Sequence, residues 1–73
     1  MTDKILTTVS GVLQTEVNQH TSQKNCAKWD SLMHINLMIA LEEAFDFSFE
    51  PEEIANMTSI SAIEQTIKKK IKD

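Results

Sequence analysis

Trp29-Asp30-Ser31-Leu32-Met33-His34-Ile35-Asn36-Leu37-Met38-Ile39-Ala40-Leu41-Glu42-Glu43-Ala44-Phe45 is the longest apolar helical run in this chain. It starts on a recognisable signal. Asp30 can act as an N-cap, its carboxylate accepting the N–H of Leu32 or Met33. Ser31 then falls in the first turn, at the positive end of the helix dipole. A phosphate on its hydroxyl would meet unsatisfied N–H donors and a favourable field.

The run from Ser31 to Phe45 has an unusual wheel. Ile35, Leu37, Met38, Leu41 and Phe45 are expected on one broad core face. Leu32, Asn36, Ile39 and Glu43 are expected on the opposite face, with Leu32 and Ile39 facing water. A helix apolar on both sides is either central to a fold or carries a docking surface. A small bundle cannot enclose it fully, which points to docking.

Outward from this run, three more segments show helical spacing. From about Asp3 to Val17, the residues Ile5, Leu6, Val9, Val12 and Leu13 make one apolar face, capped by Thr2 or Asp3. Gly11 falls inside it at a cost of about 1 kcal/mol relative to Ala. Asn18 to Lys28 is polar and reads as a long loop, a length that suggests function. After a break at Asp46, Phe47 and Phe49 are expected to anchor a loop on the core. Glu50-Pro51-Glu52-Glu53 announces a short third helix, with Pro at its first position and acids in its first turn. Ile54 and Met57 give it a small apolar face. A fourth helix starts near Thr58-Ser59, with Ser59 the preferred cap and Ser61 with Glu64 an alternative capping box. Ile60, Ile63, Ile67 and Ile71 form its stripe, and Lys68, Lys69, Lys70 and Lys72 lie at the end that favours cations.

Composition agrees with this pattern. One Gly and one Pro in 73 residues disfavour turn-rich β folds and favour helices. The chain is expected to form a single domain over residues 1–73. A domain of this length buries only about 60% of the surface its unfolded chain exposes, leaving no room for a deep catalytic cleft. Its net charge of −4 disfavours nucleic acid and favours basic protein surfaces. Cys26 alone cannot form an internal disulfide, which fits a reducing cytoplasm. Neither a secretory leader nor a membrane span is expected.

The chemistry-bearing side chains are few. His20, His34 and Cys26 are too scattered for a metal site, and none is expected. Asp30, Ser31 and His34 are neighbours, but there is no Gly-rich nucleophile elbow, and catalysis is not expected. His34 reads instead as a partly buried histidine bonded to loop backbone. Trp29 has two compatible readings. It can be a hydrophobic staple packing back on the helix, or it can shape a partner's view of Ser31.

Asp30-Ser31-Leu32 after a long loop, then Leu41-Glu42-Glu43-Ala44-Phe45-Asp46, a Pro-Glu-Glu short helix and Thr58-Ser59-Ile60 form an ordered series. That series resembles the acyl carrier protein family of phosphopantetheine-binding carriers, over nearly the whole chain. The resemblance implies an all-α four-helix bundle with a long first loop and a short third helix. It implies covalent phosphopantetheine on Ser31, flanked by Asp30 and Leu32 and added from coenzyme A by a separate phosphopantetheinyl transferase. It implies a carrier rather than an enzyme, with acyl groups held as thioesters and passed among acyl-loading and acyl-using enzymes. Leu32, Met33, Ile39, Glu42 and Glu43 become docking residues. Met38, Ile54, Met57 and Ile60 become candidates for sheltering an acyl chain. The chain is expected to be a cytoplasmic monomer.

Two features depart from the family pattern. Lys28 stands where a Gly is usual, and Met33, His34 and Asn36 replace early acids of the second helix. These departures point away from general fatty acid synthesis and towards a specialised pathway, such as polysaccharide modification or secondary metabolism. An aminoacyl or peptidyl carrier is the alternative within the class, and a small helical adaptor without a prosthetic group is the alternative outside it.

Overall fold

The structure, a computed structural model, describes residues 2–71. It contains four helices: α1 (Thr2–Leu13), α2 (Ser31–Phe45), α3 (Pro51–Asn56) and α4 (Ile60–Ile71). The fold is all-α, with the long first loop and short third helix that the sequence leads one to expect. Among the described residues the only strand-like pairing is an isolated bridge between Ser22 and Ser59.

Helix α1 packs against both α2 and α4. It buries Ile5, Val9 and Leu13, with Leu6 and Val12 half-buried beside them. It stops at Leu13, four residues short of the expected end. Gln14 adopts a left-handed conformation (φ 56°), while its N–H still reaches the Ser10 carbonyl at 2.8 Å. The Ser10 hydroxyl then donates to the Thr15 carbonyl at 2.9 Å and turns the chain away. No heavy atom outside the helix lies within 4 Å of where a Gly11 side chain would start, so packing does not require glycine there.

Short polar bonds order the loop that follows. Asn18 and Asn25 side chains accept the N–H groups of His20 and Ser22, at 2.7 and 2.9 Å. These are the local turns that Asn favours. The loop is fixed to the start of α4, because Ile60 donates to the Thr21 carbonyl and Gln23 donates to the Thr58 carbonyl. It therefore delivers Trp29 to the core along a defined path.

Helix α2 buries His34, Leu37, Met38 and Leu41. Ile35 does not join them and is 52% exposed. At about 100° per residue it points about 60° from Leu32 and about 120° from Leu41, so it sits at the edge of the outer face. The helix ends at Asp46, whose left-handed backbone (φ 61°) lets its N–H return to the Glu42 carbonyl. Phe49 is buried beyond it, and Phe47 packs edge-on against Phe49 at 4.9 Å, so the two do anchor this connection.

Ser59 caps α4, its hydroxyl accepting the Ala62 N–H at 3.1 Å. Ile60, Ile63 and Ile67 are fully buried, but Ile71 is exposed and ends the stripe early. Of the lysine run, Lys68 and Lys69 are exposed and Lys70 pairs with Glu53 at 2.9 Å. Lys72 lies outside the described residues.

Helix α3 is held partly by charge. The Glu50 N–H donates to the Glu53 carboxylate at 2.7 Å. That bond, and then Lys70, hold the Glu53 carboxyl below the ordinary glutamate range. A carboxyl lowered on folding stabilises the fold above its unfolded value, and the contribution disappears as pH falls through the folded value. Glu53→Gln should therefore lower the melting temperature at neutral pH and converge with wild type in acid, which flattens the acid side of the curve. Thermal melts across the carboxylate range check this.

Candidate functional site

The site is the corner where the first loop enters α2. Asp30 has extended backbone (φ −95°, ψ −175°), and its Oδ1 accepts the Met33 N–H at 2.9 Å. Its carbonyl accepts the His34 N–H at 2.8 Å. Asp30 is thus the N-cap, as its side-chain chemistry suggests. Ser31 is the first helical residue and is exposed. At the first two helical positions the N–H groups of Ser31 and Leu32 lie too early for an intrahelical acceptor. A 15-residue helix dipole adds a positive field at the same end. An exposed hydroxyl among spare N–H donors fits a phosphodiester. Asp30→Ala should cost about 1 kcal/mol in urea unfolding while leaving Ser31 in place.

Trp29 lies beneath this corner, 1% exposed. Its Nε1–H donates to His34 Nδ1 at 3.0 Å, and the two rings stack with centroids 6.1 Å apart. Because Nδ1 accepts, the neutral ring carries its proton on Nε2, which donates to the Ile54 carbonyl at 2.7 Å. Trp29 precedes the cap and His34 is the fourth helical residue, the spacing of a hydrophobic staple. Of the two readings of Trp29, the staple holds. Burial removes the ring from any partner's reach. The relay also ties α3 to the first turn of α2; His34 has the backbone partner expected of it, but in α3 rather than in a loop.

The same geometry bears on catalysis. Both ring nitrogens of His34 are engaged in the interior, and the Asp30 carboxylate is occupied with the helix cap. His34 is thereby withheld from Ser31. Among the described residues no cluster of three or more His, Cys, Asp or Glu side chains could hold a metal. No helix there is long and apolar enough to cross a membrane.

The remaining residues singled out from the sequence divide. Leu32 is 71% exposed and Ile39 49% exposed, both on the outer face of α2, where Glu43 is exposed too. Met33 is half-buried against the core and lines a surface groove with Val12, Leu13, Gln14 and Lys28. Glu42 is half-buried, and its Oε2 accepts the Phe49 N–H at 2.8 Å. Ile35, assigned to the core from its spacing, stands exposed between Leu32 and Ile39. Met38, Met57 and Ile60 are packed in the core, with Ile54 half-buried at its edge.

The corner thus places an exposed serine hydroxyl at a helix start within a helical bundle. The family model for the phosphopantetheine attachment site matches residues 3–67, and the chain belongs to that family. Its cofactor is covalently attached phosphopantetheine. No curated protein matches the chain.

Proposed function

We propose that Ser31 is the attachment residue and that residues 1–73 form one acyl carrier domain. The observation that carries this reading is the exposed Ser31 hydroxyl at the start of α2, beside a cap that leaves neighbouring N–H groups free. The bound arm supplies a terminal thiol that holds an acyl group as a thioester. The protein's own part is to hold Ser31 rigidly and to offer partner enzymes a surface next to it. Leu32, Met33, Ile39, Glu42 and Glu43 are the docking residues of this reading, and the exposure of Leu32, Ile39 and Glu43 supports it. The partners are a phosphopantetheinyl transferase and the enzymes that load and use the acyl group, in the cytoplasm, with the carrier a monomer.

The departure at Lys28 and the uncharged first turns of α2 support a specialised pathway over general fatty acid synthesis. Incubation with coenzyme A and several broad-specificity transferases tests the carrier reading. The wild-type chain should gain one phosphopantetheine, and a chain left unmodified by all of them overturns the proposal. Mass spectrometry of the thioester on protein isolated from its native cell tests the acyl assignment. An amino acid or peptide on the thiol would replace it with the aminoacyl or peptidyl alternative.

A further inference from the structure

Three large apolar side chains project from α2 beside Ser31: Leu32, Ile35 and Ile39, each about half exposed or more. Their spacing of three and four residues places them along one side of the helix, over about 10 Å. Asn36 is exposed next to them. From Ser31 to Leu41 the helix contains no Asp, Glu, Lys or Arg. Its one titratable side chain there, His34, is buried.

The charges at the ends of this stretch are mostly committed. Asp30 is bonded to the Met33 N–H and Glu42 to the Phe49 N–H, while Lys28 donates to the Gln14 carbonyl at 3.3 Å. Glu43, one turn beyond Ile39, is the exposed acid at the far end. Exposed acids thus stand at the two ends, Asp30 beside Ser31 and Glu43 beyond Ile39, with none along the stripe between them.

An enzyme that reaches the Ser31 hydroxyl must cover Leu32, its neighbour in the chain. The stripe is therefore continuous with the surface that the arm-attaching enzyme covers. We infer that the phosphopantetheinyl transferase of this carrier meets α2 with an uncharged, apolar recess that receives Leu32, Ile35 and Ile39, rather than with a basic patch. This rests on Ser31 as the attachment residue. Complementarity sets partner choice, and along the stripe between Asp30 and Glu43 a basic patch would be desolvated with no acid to face it. The reading adds Ile35 to the docking surface and removes Glu42, whose carboxylate is already used inside the fold.

The experiment measures kcat/KM for loading by a broad-specificity transferase with coenzyme A, on the wild type, Ile39→Glu, Ile39→Lys and Ile35→Ser. Circular dichroism confirms that each variant is folded, as an exposed position allows. Both charged variants should lose about tenfold or more through KM, and Ile35→Ser should lose less, because truncation at an apolar contact and a buried unpaired charge both weaken docking. Wild-type kcat/KM should change little between roughly 0.05 M and roughly 0.5 M salt, where steering by exposed charge would be screened.

A gain in rate for Ile39→Glu would reveal a basic partner surface and overturn the inference, as would a gain for Ile39→Lys or a steep loss with salt. Variants that load like wild type would also overturn it while leaving Ser31 as the attachment residue. Failure of the wild type to load removes the underlying reading itself. Sedimentation of the unmodified chain closes the remaining route: a dimer dissociated by Ile39→Glu would mean that the stripe binds a second copy, against the inference.

Discussion

Trp29→Ala should leave little folded protein at room temperature. Trp29 is among the largest fully buried side chains, and removing an aromatic ring from a core costs about 3–5 kcal/mol. The substitution also strands His34 Nδ1 without its donor, which adds about 1–3 kcal/mol. A chain of this length has a total stability of roughly 4–11 kcal/mol, so the loss is comparable to the whole. Urea unfolding followed by circular dichroism measures it. Trp29→Phe is the milder change, since it keeps a six-membered aromatic ring in the core while removing the N–H and the rest of the five-membered ring. It should fold, with a loss of about 1–3 kcal/mol. A Trp29→Ala midpoint near that of the wild type would mean that the ring is not part of the core.

His34→Leu should be the most damaging substitution on α2 that keeps side-chain volume. Leucine fills similar space but leaves the Trp29 Nε1–H and the Ile54 carbonyl facing an apolar group. Two stranded polar atoms cost about 2–5 kcal/mol together. The effect has a local signature. The indole N–H of Trp29 loses its acceptor, so its proton resonance should move upfield and its exchange with solvent should quicken. Helix α3 loses its bond to α2 at Ile54, and amide exchange near Ile54 should rise with it. Melting measurements and proton NMR on the same variant check both. If stability fell while the indole resonance stayed in place, the Trp29–His34 bond would not be the cause.

The two cases show why parts of this fold can be read from the sequence and others cannot. Asp30, Ser59 and Pro51 act on the backbone within one turn, so the starts of α2, α4 and α3 fall where those residues put them. Ser31 could be identified for the same reason, because a cap and a helix dipole are local. The end of α1 is different. Val17 continues the apolar spacing past Leu13, and the stop comes from a left-handed Gln14 and a bond between Ser10 and Thr15, with no glycine to mark it. Ile35 is different again. Helix α2 is apolar on every side near its start, so periodicity cannot choose its buried face, and packing against α1 decides it.

The relay through His34 lies between these extremes. The staple spacing of Trp29 and His34 is present in the sequence, but the third member is a backbone carbonyl in α3, which no side-chain pattern can reveal. The relay connects the corner that bears Ser31 to the shortest helix. Ser31 thereby sits on a base fixed from two sides, by its cap and by the buried tryptophan. A tethered group benefits from such a base, because a partner enzyme then meets one defined geometry at the attachment point.

The most direct test of Ser31 as the attachment residue is peptide mapping by mass spectrometry after loading with a transferase and coenzyme A, on wild type and Ser31→Ala side by side. Wild type should carry one phosphopantetheine, on the peptide containing Ser31, and Ser31→Ala should carry none while retaining its helical circular dichroism. An arm found on Ser22, Ser48, Ser59 or any other residue, or a folded Ser31→Ala protein that still accepts one, would contradict the account.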